Sequence, residues 1–208
     1  MAFWRYGQAV LVVKPKRHKA IMPQSHKTTI PIFSLKQLKH HEITNIKTTF
    51  PIVVLCDNFH SPQNVGMAFR ICEIMGVEHL YLLGSSPIPP SAKIKKTARN
   101  AENMVPFSAA TNEIELIQRL KKEGYSLIGM EITDKSKSIY EWEGGAFEKI
   151  ALLFGAERNG ISEELLPLLD HCFHIPMYGQ ISSMNVIMAM SISLYEITKQ
   201  VSSSLKFG

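Results

Sequence analysis

Three polar segments of this sequence contain side chains that could bind a hydroxyl or phosphate group and stabilise negative charge. They are residues 57–70, 153–162 and 175–186. The groups able to act are the Arg70 guanidinium, the Asn64 and Asn185 carboxamides and the Glu157 carboxylate. Arginine holds phosphate and stabilises a developing oxyanion, while carboxamides and carboxylates orient their partners by hydrogen bonds. The structural alternatives are an N-cap for Asn64 and a surface ion pair for Arg70.

Each polar segment begins where an apolar run of strand length ends. The predicted strands cover residues 51–56, 79–83, 126–130, 150–154 and 172–175. The predicted helices cover residues 64–75, 112–123, 162–169 and 183–200, with one short helix over 34–41. This alternation predicts an α/β fold with a mostly parallel sheet flanked by helices. Because such sheets bind ligands at the carboxyl ends of their strands, the three segments are predicted to form one site.

Other ligand-binding motifs are absent or incomplete. No Gly-x-Gly-x-x-Gly pattern follows the first strand, which argues against a nicotinamide-dependent oxidoreductase. Residues 155–160 have the glycine spacing that opens a P-loop, but Ile161 stands where the phosphate-binding lysine is needed. His171, Cys172 and His174 match no common zinc-binding spacing, so no metal is expected.

The composition is that of a globular protein, with 45% hydrophobic residues in a chain of 208. No apolar run approaches the ~18 residues of a membrane span, and the first residues do not resemble a signal peptide. The three cysteines, Cys56, Cys72 and Cys172, lie in apolar surroundings. They are predicted to be buried free thiols of a cytoplasmic protein.

Positive charge is concentrated at the start of the chain. Residues 1–50 contain nine Lys and Arg and one acid, so this part carries about +8. The rest has fourteen Lys and Arg and seventeen acids, about −3. Such an arm could contact the phosphates of a nucleic acid or only keep the protein soluble, and charge alone does not decide between the two.

The three polar segments resemble, in order, the three motifs of the SpoU (TrmH-like) group of RNA 2′-O-ribose methyltransferases in the SPOUT class. The motifs here are Asn-x-Gly from Asn64 followed by Arg70, Gly-x-Glu-x-x-Gly from Gly155, and Ile-Pro-Met-x-Gly from Ile175 followed by Ser-x-Asn-Val from Ser183. The resemblance extends over about residues 50–196. Met184 stands where the group usually has leucine, and the exchange conserves volume.

The resemblance implies an S-adenosylmethionine-dependent enzyme that methylates a ribose 2′-hydroxyl of tRNA or rRNA. It assigns catalysis to Arg70, Asn64, Glu157 and Asn185, with Glu157 holding Arg70 or Asn64. The implied cofactor-binding residues are Gly155, Ile175, Met184, Met130, Met177 and Ser183. RNA binding is then expected of basic residues in the first segment and near the middle of the chain: Lys14, Lys16, Arg17, Lys19, Lys95, Lys96 and Arg99.

The resemblance also implies a C-terminal deep trefoil knot, and a homodimer formed through the last helix, whose methionine and isoleucine stripe suits core and interface positions. The domain organisation is then a basic N-terminal extension, residues 1–48, and a methyltransferase domain, residues 49–208. A base-nitrogen methyltransferase of the same class would lack the Asn-x-Gly and Ser-x-Asn-Val motifs. The remaining alternative is a catalytically weak RNA-binding protein on the same fold, which would have lost Arg70, Asn64 or Asn185.

Overall fold

The computed structural model describes residues 35–143 and 147–204. The chain divides into two compact units, Met1–Thr44 and Asn45–Gly208. In the described part of the first unit, a 3-10 turn covers His40–Glu42. The Lys36 ammonium lies 2.7 Å from the Glu42 carboxylate. The helix predicted over residues 34–41 is therefore wrong, since a segment this short cannot sustain a helix without tertiary packing.

The second unit contains a seven-stranded sheet in which every pairing is parallel. Its strands are β1 (Phe50–Asp57), β2 (Val77–Leu83), β3 (Phe107–Ala110), β4 (Tyr125–Met130), β5 (Lys137–Ser138), β6 (Lys149–Phe154) and β7 (His171–His174). Across the sheet the order is β3-β2-β1-β6-β4-β7-β5. The predicted mostly parallel α/β sheet is confirmed.

Helices cover both faces of the sheet. They are α1 (Pro62–Ile74), α2 (Ala92–Ala98), α3 (Glu113–Lys122) and α4 (Val186–Ser204). On β1, Ile52 and Val54 belong to the core that contains residues of α1, α2 and α4, whereas Val53 belongs to the core under α3. Because the central strands are buried on both sides, they read in sequence as continuous apolar runs.

Three local expectations are corrected by the structure. Residues 162–169 do not form an α-helix but contain only a short 3-10 turn, Leu166–Leu168. Pro167 lies in this turn, and its ring and missing N–H disfavour an α-helix there. The last helix begins at Val186 rather than at residue 183, and α2 and the short strands β3 and β5 were not predicted.

The three cysteines are free thiols, as predicted. Cys56 and Cys72 are buried, and Cys172 is half-buried. Burial raises the pKa of all three thiols. Among the described helices, none is both long and apolar enough to cross a membrane.

Candidate active site

The ends of β1 and β6 are joined by a buried carboxylate. Asp57, the last residue of β1, is 1% exposed. Its Oδ2 accepts a hydrogen bond of 2.7 Å from the backbone amide of Ser162, in the segment that follows β6. Its Oδ1 accepts a second bond, of 2.8 Å, from the Asn58 side chain. Asp57 therefore holds the first two polar segments together at the carboxyl edge of the sheet.

Glu157 connects the same two segments on the surface side. Its Oε1 accepts a hydrogen bond of 2.6 Å from the Asn64 side-chain amide. The backbone amides of His60 and Ser61 also donate to this carboxylate, at 3.1 and 3.3 Å. Glu157 was expected to hold Arg70 or Asn64, and in the structure it contacts Asn64.

These hydrogen bonds determine the charge of Glu157. Burial alone would raise the pKa of the Glu157 carboxyl, but backbone amides and the Asn64 carboxamide donate to the ionised form and lower the pKa below its usual value. Glu157 is therefore a carboxylate at neutral pH. An acceptor of this kind fixes the Asn64 side chain with its N–H toward Glu157 and leaves the Asn64 carbonyl oxygen for another donor.

Asn64 is not the N-cap of α1. That position is occupied by Ser61, whose hydroxyl accepts a hydrogen bond of 3.3 Å from the Asn64 backbone amide. Gly66 is required by close packing, since an added Cβ would lie 2.1 Å from Thr97 Oγ1 and 2.4 Å from the Ile94 carbonyl oxygen. This glycine lets α1 approach α2 closely.

Arg70 lies one turn beyond Gly66 on α1, and its side chain is exposed. Within the described residues it has neither a hydrogen bond nor an ion pair. The surface ion pair, which was the structural alternative for Arg70, is thus absent among the described residues, and the guanidinium is available to a substrate anion. Arg70 is not brought into contact with Asn64 or Glu157.

Asn185 has a clear structural role at the start of α4. Its side-chain oxygen accepts a hydrogen bond of 2.9 Å from the Ile187 backbone amide, and its carbonyl oxygen accepts one from Ala189. This is the pattern of an N-cap residue. The side chain is exposed, and its NH₂ group points away from this cap bond, so it can still contact a ligand.

A cleft lies beside Glu157, at the carboxyl ends of β4, β6 and β7. Its cavity volume is about 200 Å³, below the ~300–1,000 Å³ typical of small-molecule sites, and the cleft is open to solvent. All six residues expected to bind the cofactor line this cleft: Gly155, Ile175, Met184, Met130, Met177 and Ser183. Met130 and Ile175 supply apolar surface, and the loops supply backbone donors and acceptors.

The loop after β6 is folded tightly against itself. Ala156 and Gly160 exchange two backbone hydrogen bonds, of 2.9 and 3.0 Å. A Cβ on Gly155 would lie 2.0 Å from the Gly160 carbonyl carbon and 2.1 Å from the Ile161 nitrogen. Gly160 has a φ of +69°, in the left-handed region that favours glycine. Both motif glycines are thus required by the shape of the cleft wall.

Three charged or titratable residues of the cleft were not predicted from the sequence: Glu131, Arg158 and His174. Glu131 directly follows β4, and His174 ends β7, so the strand-end rule applied to the other segments could have identified both. Among the described residues, no group of three His, Cys, Asp or Glu side chains could hold a metal ion.

Of the basic residues expected to bind RNA, Lys95 and Lys96 lie in the last turn of α2 and Arg99 is its C-cap. All three are exposed, and none forms an ion pair within the part of the chain that the structure describes. Arg99 has a φ of +53°, uncommon for a residue other than glycine. Lys14, Lys16, Arg17 and Lys19 lie outside the described residues.

The chain is similar in sequence to several RNA methyltransferases. A mouse (Mus musculus) tRNA (guanosine(18)-2′-O)-methyltransferase is 31% identical over 74% of this chain and 10% of its own length. An enzyme of the same name from Thermus thermophilus is 28% identical over 72% of this chain and 75% of its own length. The SpoU methyltransferase AviRb of Streptomyces viridochromogenes, solved with AdoMet, has the same fold. Its TM-score is 0.66 at 22% identity, covering 79% of this chain and 62% of its own.

The chain spans only about a tenth of the length of the mouse relative and of a yeast relative. The sequence model of the SpoU rRNA Methylase family, however, matches residues 51–195, which include every motif residue described above. The matched residues lie within the folded core, since β1 begins at Phe50 and α4 ends at Ser204. The chain belongs to the SpoU rRNA Methylase family.

Proposed function

We propose that this protein is an S-adenosylmethionine-dependent methyltransferase that modifies a ribose 2′-hydroxyl of tRNA or rRNA. The observation that carries the proposal is the hydrogen bond between Asn64 and Glu157, a residue of the cleft that is lined by the six residues expected to bind the cofactor. The names of the mouse and Thermus relatives specify 2′-O-methylation of a tRNA guanosine for those proteins. Glu157 of this polar pair lines the cleft, so the orienting contact and the residues expected to bind the cofactor adjoin each other.

The residues of the cleft suit S-adenosylmethionine. Its adenine is flat and apolar on its faces, which matches the Met130 and Ile175 side chains. The cofactor carries a positive sulfonium, and the Glu131 and Glu157 carboxylates outnumber the Arg158 guanidinium among the formally charged side chains of the lining. When bound, the cofactor supplies an electrophilic methyl group.

Methyl transfer to the ribose O2′ would release S-adenosylhomocysteine, and the hydroxyl proton would pass to water. Asn64, fixed by Glu157, is placed to orient the substrate hydroxyl or ribose. Arg70 is exposed and unpaired among the described residues, and it is assigned to hold a substrate phosphate and stabilise the developing alkoxide. Asn185 caps α4 and offers its remaining NH₂ group to the substrate.

RNA binding is assigned to two basic regions of the chain. The first comprises Lys95, Lys96 and Arg99 on and after α2, the helix that α1 approaches at Gly66. Arg70 is one turn from Gly66 on α1, so the two residues lie on the same side of α1, the side that approaches α2. The second is the basic N-terminal extension, residues 1–48, which precedes the methyltransferase domain, residues 49–208.

A homodimer through α4 is part of the proposal. Met188, Ile192 and Tyr195 follow each other at steps of four and three residues along α4, and they are 57%, 41% and 61% exposed. An apolar stripe of this kind is unusual on a free surface and suits contact with a second copy.

Family membership supports a trefoil knot in the C-terminal part of the chain. The three free thiols suit a reducing compartment such as the cytoplasm.

The test is incubation of the protein with S-adenosylmethionine carrying a radiolabelled methyl group and with total cellular RNA. Nuclease digestion then identifies the modified nucleotide, which should resist alkaline hydrolysis on its 3′ side because its 2′-oxygen is methylated. Absence of label in RNA, with a folded protein that binds the cofactor, would support the RNA-binding alternative. No observation at present favours that alternative, since Asn64, Glu157, Arg70 and Asn185 are all retained.

A further inference from the structure

Glu131 is a carboxylate of the cleft that none of the three motifs contains. It directly follows β4 and is half-buried against the cleft. Its backbone amide donates to the Phe173 carbonyl oxygen at 2.9 Å, which continues the pairing of β4 with β7. Glu131 is therefore positioned by the sheet itself rather than by a loose loop.

Both oxygens of the Glu131 carboxylate are fixed by backbone amides. Oε1 accepts a hydrogen bond of 2.9 Å from Ile132, and Oε2 accepts one of 3.1 Å from Ile161. An added Cβ on Gly160 would lie 2.4 Å from Oε2, so the motif glycine leaves room for this carboxylate. The side chain thus reaches across the cleft wall and holds the loop after β6.

The two amides do not use the full capacity of the carboxylate. Each oxygen of an ionised carboxyl group can accept two hydrogen bonds, and within the described residues each has one. The neighbouring strand β7 ends at His174, and the Nδ1 atom of His174 is already paired with Ser136 Oγ at 3.0 Å. A ligand that satisfies Glu131 must therefore bring hydrogen-bond donors.

The order of the strands indicates which part of the cofactor lies near Glu131. Glu157 follows β6 and contacts the loop after β1, where Asn64 is placed to meet the substrate. Glu131 follows β4 and lies toward β7, on the other side of β6 in the sheet. A methyl group delivered near Asn64, with the adenine against Met130 and Ile175, places the nucleoside end of the cofactor toward Glu131. The donors of a ribose are its two hydroxyl groups.

We propose that Glu131 is a cofactor-binding residue that accepts hydrogen bonds from the ribose hydroxyls of S-adenosylmethionine. The proposal rests on the proposed function. It adds an acidic ribose contact to a pocket otherwise assigned to apolar side chains and loop backbone. An acidic residue at a strand end serves the same purpose in dinucleotide-binding sheets, where it receives the ribose hydroxyls.

The test is calorimetric binding of two probes, S-adenosylhomocysteine and its analogue without the 2′- and 3′-hydroxyls, to the full chain. The wild type should bind the first probe about tenfold or more tightly than the second, since a hydrogen bond to a charged group contributes this much. Glu131→Gln should weaken S-adenosylhomocysteine by about 10- to 100-fold. It should change binding of the dideoxy analogue by no more than about twofold.

Glu163→Gln is the matched control, because Glu163 is exposed and outside the cleft. It should leave both affinities unchanged. Equal losses for both probes in Glu131→Gln would show that Glu131 only holds the loop, and would overturn the proposal. If Glu131→Gln fails to fold, a wild-type preference below about twofold overturns it equally. If the wild type binds neither probe nor S-adenosylmethionine, the proposed function itself fails.

Discussion

Asn64 and Glu157 are expected to act on the reaction as one unit, because a short hydrogen bond of 2.6 Å joins their side chains. If Glu157 works by orienting Asn64, then removing either side chain removes the same contribution. Asn64→Ala and Glu157→Ala should therefore have similar effects on the rate of methyl transfer, and the double variant should be no worse than the poorer single variant.

The size of this effect follows from the contact. A hydrogen bond to a charged group contributes about 1.5–3 kcal/mol, but this pair is partly exposed, so solvent reduces the figure to about 1–2 kcal/mol. Expressed as a barrier, that is about a 5- to 30-fold loss of rate. Independent residues would multiply their effects and lower the rate of the double variant by about 25- to 900-fold.

The assay is the initial rate of transfer of a radiolabelled methyl group to total RNA at saturating S-adenosylmethionine. Glu163→Gln, an exposed acid outside the cleft, should keep the wild-type rate. Asn64→Asp places a second carboxylate against Glu157, which raises the pKa of one of the two. That variant should be less active than Asn64→Ala at pH 7, and should recover as the pH falls and the pair takes up a proton. Multiplicative losses in the double variant would refute the orienting role of Glu157.

Four further outcomes are expected. Calorimetry in the presence of a chelator should show about one S-adenosylmethionine bound per protomer, and absence of binding by folded protein would contradict the cofactor assignment. Arg70→Ala should lower the rate by about 10²–10³-fold with nearly unchanged cofactor affinity, as for loss of an oxyanion donor; a variant retaining a third of the rate would exclude that role. Ser193→Ala should raise the free energy of unfolding by about 1 kcal/mol, measured by urea denaturation, because Ser193 is fully buried and its hydroxyl has no partner among the described residues. Removal of residues 1–44, which contain eight Lys and Arg, should reduce the slope of log binding constant against log salt concentration by about two to four units, as measured by filter binding to RNA. If the segment only keeps the protein soluble, the slope should not change.

The parallel sheet could be predicted because its central strands are buried on both faces. Runs such as residues 51–56 and 150–154 are apolar at every position, and their boundaries match β1 and β6 closely. The edge strand β3 has only four residues, and two of them are exposed, so its sequence carries little strand signal. The segment over residues 162–169 has helix-starting residues, but Pro167 and the bond from Ser162 to Asp57 favour another conformation.

The motif side chains could be predicted, and the strand-end rule could have identified Glu131 and His174 as candidates, but the sequence could not show that these residues share one cleft with the motifs. Which strand ends adjoin one another depends on the sheet order, β1-β6-β4-β7, and that order is not the order of the strands along the chain. Glu131 becomes a neighbour of Gly160 and Ile161 only because β4 pairs with β6. A single sequence contains no local signal of that pairing, because the energy that selects it comes from burial shared by distant residues.

The six-residue spacing between Asn64 and Arg70 in the first motif places the two side chains on different sides of α1. Six residues advance an α-helix by about 9 Å and turn it through about 240° beyond one full turn, so Asn64 and Arg70 leave α1 in different directions. Asn64 is directed to Glu157, while Arg70 is exposed near the side of α1 that approaches α2 at Gly66. A substrate that touches both must be extended. An RNA chain, whose ribose and neighbouring phosphate lie several ångströms apart, meets that requirement in the proposed reaction, in which Asn64 would contact the ribose and Arg70 the phosphate.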